Sequence, residues 1–133
     1  MKIRLYTDEE ISKLKQSIFI KSVKYKRELE YEPIFKIWTI VLKHDYPELT
    51  AREIFARGGI DTNILHKKLP QRRIKEWIDN YKKFGIRYFL PENEFYSSIH
   101  KKEKDIVHSN DLKDHLMRFV LKRLKEINNE ENR

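Results

Sequence analysis

Along most of the chain, hydrophobic residues recur at intervals of three and four, which is typical of helices buried on one face. The clearest stretch follows Pro33, and proline suits a first helical turn because its missing amide hydrogen is not needed there. The apolar positions after it are Ile34, Ile37, Trp38 and Val41. The spacing predicts a helix of about three turns. Pro47 predicts its end, because proline disfavours helical geometry in the residue before it.

A second, shorter helix is predicted from Thr50. Thr50 and Glu53 form the pattern of a capping box, in which each side chain accepts a hydrogen bond from the other residue's backbone amide. Ile54 and Phe55 would supply the buried face of this helix. We expect Gly58 to end it in the left-handed conformation, which glycine adopts at little cost.

A third helix is predicted between Pro70 and Gly85. Its hydrophobic stripe consists of Ile74, Trp77, Ile78 and Tyr81. Between the second and third helices, Asp61 can cap one further helical turn that carries Ile64 and Leu65. Three helices with complementary apolar faces would pack as a small bundle.

Different patterns flank these helices. Thr7 and Glu10 form another capping box, after which Phe19 to Tyr31 alternates hydrophobic with mostly charged residues, the spacing of a half-buried strand or an extended arm. This stretch has no glycine or Asn-Gly pair to indicate a hairpin turn.

Near the C-terminus, a second broad apolar face predicts an amphipathic helix. Its hydrophobic positions include Leu112, Leu116, Phe119, Val120, Leu124 and Ile127.

Together these patterns predict a mainly α fold: a three-helix helix-turn-helix bundle with a short N-terminal helix, an extended arm or short strands, and a C-terminal amphipathic helix. The predicted segments are 1–31 for the short helix and arm, 32–85 for the helix-turn-helix core, and 86–133 for an aromatic connector and the last helix. A chain of 133 residues has room for one hydrophobic core.

Composition argues against several classes of function. The chain has no cysteine, and its five histidines do not pair at a recognised metal-binding spacing. The sequence also lacks the motifs of a phosphate-binding loop and of a nucleophile elbow. No apolar run reaches the roughly 18 residues that a membrane-spanning helix needs. We therefore expect a cytoplasmic, non-enzymatic protein with no cofactor, metal, membrane or small-molecule substrate.

The charge pattern points instead to nucleic acid. The formal net charge is +8 at pH 7, and a basic surface binds a polyanion by releasing its counterions. Between His66 and Lys83, seven lysines and arginines stand against two acidic residues, so the charge is concentrated around the third helix. Arginine and glutamine can read base edges, and lysine contacts phosphate. The candidate DNA-binding residues are Lys67, Lys68, Gln71, Arg72, Arg73, Lys75, Lys82 and Lys83.

The stretch LTAREIFARGGIDTNIL, followed by RIKEWIDNYKKFG, resembles the helix-turn-helix region of the first-frame proteins of bacterial insertion-sequence transposases and of related orphan helix-turn-helix proteins. The matching residues are Thr50, Glu53, Ile54, Phe55, Gly59, Ile60, Asp61, Leu65, Arg73 and Trp77. The preceding residues are similar to the family's leader, so the resemblance covers about the first 85 residues. It implies sequence-specific binding of double-stranded DNA through residues 71–75, in a transposase-accessory or transcription-regulating role.

Two alternatives stay open at the level of sequence. The basic helix could instead meet an acidic protein, as in a helical interaction module such as a phage or plasmid adaptor. The C-terminal helix could form a homodimer through a zipper-like seam or fold back onto the bundle. The residues of that seam are Met117, Val120, Leu124 and Ile127.

Overall fold

The computed structural model describes residues 5–89 and 112–131, and this part of the chain is mainly helical with one small sheet. The elements in chain order are α1 (Asp8–Leu14), β1 (Ile20–Lys24), β2 (Glu28–Tyr31), α2 (Pro33–Asp45), α3 (Ala51–Arg57), α4 (Leu69–Phe84), a 3-10 turn (Ile86–Tyr88) and α5 (Leu112–Glu131). The mainly α prediction is therefore confirmed.

Both predicted capping boxes are present. The Thr7 hydroxyl accepts from the amide of Glu10 at 3.1 Å, and the Glu10 carboxylate accepts from the amide of Thr7 at 2.9 Å. The corresponding distances for Thr50 and Glu53 are 3.1 and 3.4 Å. Each box satisfies two amides that a helix leaves without an internal partner, so local sequence sets where α1 and α3 begin.

The segment expected to be a strand or an arm is an antiparallel hairpin, with Val23 opposite Leu29. Its turn closes with the amide of Arg27 donating to the carbonyl of Lys24 at 3.1 Å. Tyr25 and Lys26 both have positive φ, 55° and 56°, in place of the glycine or asparagine that such turns prefer. The turn is held by a contact that is distant in sequence, since the amide of Tyr6 donates to the carbonyl of Lys26 at 2.6 Å. The hairpin therefore forms without the local turn signal that a sequence-based prediction needs.

The core is organised around aromatic rings contributed by the hairpin and by three helices. Phe35 of α2 lies 5.1 Å from both Phe19 and Phe55, measured between ring centroids. Trp77 of α4 lies 5.1 Å from Tyr31 and 5.8 Å from Phe35. Such pairs each add on the order of 1 kcal/mol beyond the area they bury. They fix which side of α4 faces inward.

Gly58 and Gly59, which we call the glycine pair, differ in backbone conformation from the prediction. Gly58, expected in the left-handed region, has φ −79°, and it is Gly59 that has φ +79°. Gly58 is required for close packing: a Cβ there would lie 2.8 Å from Cε1 of Phe35. Its carbonyl also accepts a 2.7 Å hydrogen bond from the buried hydroxyl of Ser17, which docks the N-terminal segment on this turn.

The C-terminal helix α5 packs on α2 of the same chain. Arg123 donates two hydrogen bonds to Asp45, at 2.9 and 2.8 Å, and this pairing holds the pKa of Asp45 below its ordinary value. Three of the four residues proposed for a dimer seam, Val120, Leu124 and Ile127, are buried within the chain, and Met117 is half-buried. The zipper prediction is corrected accordingly, because this apolar face already covers the bundle.

The specific helix-turn-helix arrangement is met only in part. α2, α3 and α4 all pack against one another. The connection from α3 to α4, however, covers residues 58–68. The turn of a helix-turn-helix is much shorter, at about three or four residues. Ile64 and Leu65 are buried in that connection, where the carboxylate of Asp61 accepts from the amide of Asn63 at 3.1 Å. The helix-turn-helix assignment stays a prediction.

Candidate nucleic-acid interface

The helix α4 is pinned by its hydrophobic stripe, of which Ile74 and Trp77 are buried and Ile78 and Tyr81 are half-buried. The basic residues therefore point away from the core. Seven of the eight candidate DNA-binding side chains are exposed, and we call them the open surface. They are Lys67, Lys68, Gln71, Arg72, Lys75, Lys82 and Lys83.

Part of the open surface borders a groove between α4 and the start of α3, with a volume of about 550 Å³. On the α4 side, Gln71 and Lys75 are four positions apart on the helix and so share one face, and Lys67 lines the groove from the turn just before the helix. Across the groove lie Thr50 and Arg52. The groove gives the open surface a concave edge on which Gln71 lies between Lys67 and Lys75 in the sequence.

The lysines and arginines of the open surface differ from the other cations in their pairing. Within the described residues, none of these six lysines and arginines forms an ion pair. Asp79 is exposed in the same stretch of helix, whereas the other acid, Glu76, is bound by Arg73 at 2.7 Å. Positive charge on this surface is therefore not neutralised within the described part of the protein.

Arg73, the eighth candidate, does not belong to the open surface. Its side chain is half-buried and lines a different pocket, together with Tyr31, Lys36 and Trp77. The ion pair with Glu76 holds its guanidinium there. The helix turns by about 100° per residue and so carries Arg73 round to the side that faces the hairpin, apart from the open surface. The assignment of Arg73 to DNA binding stays a prediction.

Burial and charge make this other side, which we call the closed side, chemically distinct. Its residues are Tyr31, Lys36 and Arg73, together with the exposed Glu76 that pairs with Arg73. Burial raises the pKa of Tyr31 far above its ordinary value, and its buried hydroxyl has no hydrogen-bond partner in the described residues. Burial lowers the pKa of Lys36, whose ammonium lies 5.9 Å from the centroid of the Trp77 ring. Cations on this side are engaged in packing and pairing.

Two cations near the groove were not among the candidates. Lys43 donates to the carbonyls of Pro47 at 3.1 Å and Leu49 at 2.7 Å, so it stabilises the connection between α2 and α3. Arg52 donates to the side chains of Thr62 and Asn63, at 3.3 and 3.1 Å, and so stabilises the connection to α4. No sequence pattern indicated these roles, because each depends on how two loops fold back on a helix.

Residues 5–89 and 112–131 contain no group of three or more side chains placed to hold a metal ion. In the same ranges, no helix combines the length and the apolar character needed to cross a bilayer.

Comparisons with protein-family models, with curated proteins and with solved structures find no match for this chain. A function therefore has to be inferred from the geometry and charge of the protein itself.

Proposed function

We propose that the protein binds double-stranded DNA through the open surface of α4, in the manner of a helix-turn-helix protein. The observation that carries this proposal is a set of six exposed lysines and arginines that form no ion pair within the described residues, around one helix whose opposite face is fixed in the core. Unpaired cations can each neutralise a phosphate and release a counterion, whereas paired cations would first have to break an ion pair.

The residue types along α4 suggest separate roles in reading bases and in contacting phosphates. Gln71 and Arg72 lie in the first turns of the helix, and an exposed helix end is the part that can reach base edges in the major groove. Lys67 and Lys68 precede the helix, while Lys82 and Lys83 lie in its last turn, so lysines lie on both sides of the proposed reading residues. Phosphate contacts of this kind position a protein without carrying sequence information.

The experiment is a titration of a labelled duplex of about 20 base pairs, followed by fluorescence anisotropy between about 50 and 200 mM salt. Steep salt dependence is expected for the unmodified protein. Lys82→Ala should weaken binding to all sequences alike and reduce the slope of log affinity against log salt by about one. Lys15→Ala removes an exposed lysine beyond the end of α1 and is the matched control.

Sequence preference requires a second measurement on the same proteins. In a selection from random duplexes, Arg72→Ala should relax the preference at one base position and leave the others unchanged. Absence of duplex binding at low salt, or equal losses for Lys82→Ala and Lys15→Ala, would contradict the proposal. Binding to an acidic protein that persists at high salt would favour the interaction-module alternative.

A further inference from the structure

Beyond the C-terminal end of α4, two aromatic rings lie stacked on the protein surface. The rings of Phe84 and Tyr88 are 5.3 Å apart with an angle of 16° between their planes. Phe84 is 59% exposed and Tyr88 is 53% exposed. Single exposed hydrophobic residues are common on proteins, but an ordered and exposed stack of two rings is a preformed surface for a further flat ring. We call this pair the aromatic platform.

Local structure holds the platform in place. Gly85 has φ +75°, and this left-handed residue ends α4 after its amide donates to the carbonyl of Tyr81 at 2.9 Å. The chain then forms the 3-10 turn that carries Tyr88 back beside Phe84. Phe89 is buried and packs edge-on against Tyr88 at 5.2 Å, which anchors the turn. Little ordering would be needed for a ligand to stack on these rings.

The platform is continuous with the open surface. Lys83, a member of that surface, has its ammonium 6.0 Å from the centroid of the Phe84 ring. Arg87 is exposed on the 3-10 turn between Phe84 and Tyr88 in sequence. An apolar side chain of a partner protein would gain nothing from these cations. A nucleotide offers both a flat base for the rings and a phosphate for the cations, so charge complementarity selects it.

We propose that the aromatic platform stacks an unpaired base of a DNA strand whose duplex part lies on the open surface. This inference rests on the proposed function and specifies its partner: a duplex that ends in, or is interrupted by, single-stranded DNA. Stacking is tolerant of base identity because every base has a flat face. The platform therefore adds affinity for unpaired structure, whereas sequence preference would come from Gln71 and Arg72.

The test compares a blunt duplex with the same duplex carrying a short single-stranded thymidine extension, on either the 3′ or the 5′ end, at one salt concentration. The unmodified protein should bind at least one of the extended duplexes at least about fivefold more tightly. Phe84→Ala and Tyr88→Ala should each reduce this gain while leaving affinity for the blunt duplex unchanged. Tyr88→Phe, which retains the ring, should keep the gain.

Phe119→Ala is the matched control, since Phe119 is a helical phenylalanine of similar exposure, 56%. This variant should keep the full gain. Blunt-duplex binding with no gain from either extension, or a gain that survives Phe84→Ala and Tyr88→Ala, would overturn the inference and leave the proposed function standing. Failure to bind the blunt duplex at low salt would count against the proposed function, and the platform proposal would fall with it.

Discussion

The two sides of α4 carry similar residues and differ in what surrounds them. Arg72 and Arg73 are neighbours in sequence, yet Arg72 is exposed without an ion-pair partner in the described residues, and Arg73 is half-buried in a pair with Glu76. On the second side the hairpin contacts α4 through the rings of Tyr31 and Trp77. A count of basic residues along a helix therefore overstates the charge available to a partner.

The two sides of α4 also differ in how much they contribute to the free energy of unfolding. The closed side contributes to stability through burial and ring contacts, whereas the exposed cations of the open surface contribute little to stability. Substitutions on the two sides should accordingly have different effects in an unfolding experiment and in a DNA titration.

Trp77→Ala should have the largest effect on stability. Trp77 is 3% exposed and contacts three aromatic rings, so its loss should reduce the free energy of unfolding by about 3–5 kcal/mol. Lys75→Ala, two residues away on the open surface, should change it by no more than about 0.5 kcal/mol. Urea denaturation followed by circular dichroism measures both, and losses of similar size would contradict the distinction between the two sides.

Gly58→Ala should destabilise the protein by about 1–3 kcal/mol, because the added methyl group would overpack the ring of Phe35. The open surface is not part of this contact. The affinity of the folded variant for duplex DNA should therefore match that of the unmodified protein, measured at a temperature well below its unfolding midpoint. An unchanged unfolding midpoint would show that the ring of Phe35 can move aside, and it would contradict the claim that close packing requires glycine at position 58.

Arg72→Ala and Arg73→Ala should differ in binding rather than in stability. Loss of Arg72 should lower affinity for a preferred duplex about fivefold, or about 1 kcal/mol, because the lost guanidinium is exposed and forms no ion pair in the described part of the chain. Loss of Arg73 should change affinity less than about twofold, since its ion pair with Glu76 keeps it on the closed side. The anisotropy titration that tests the proposed function measures both, and equal losses would argue that Arg73 also reaches DNA.

Lys36→Met should have the smallest effect, a gain in stability on the order of 0.5 kcal/mol at neutral pH. Burial lowers the pKa of Lys36, so the unfolded chain binds this proton more tightly than the folded protein does. The cost of the buried charge should disappear as pH rises from the lowered folded pKa through the ordinary lysine value of 10.5. Parallel unfolding curves should show the gap between the two proteins closing over that range; a gap that widens would contradict the assignment.

Some elements could be predicted from short-range pattern alone. α2 begins at Pro33, and α4 ends before Gly85, as expected, because these signals act within one helical turn. The hairpin turn and the role of Gly58 could not be predicted in this way. The first depends on the hydrogen bond from Tyr6, and the second depends on the ring of Phe35. Both partners lie many residues away in sequence.

The sequence by itself determined the mainly helical fold, the capping of α1 and α3, and the concentration of positive charge around α4. These properties follow from residue type and from spacing over about four positions, which is the range of a helical turn. Only the tertiary structure decided which lysines and arginines are exposed, that α5 packs on α2, and that the ring of Phe84 stacks on the ring of Tyr88 at the surface. Those outcomes depend on which faces pack together, since packing of distant segments sets the exposure of each side chain.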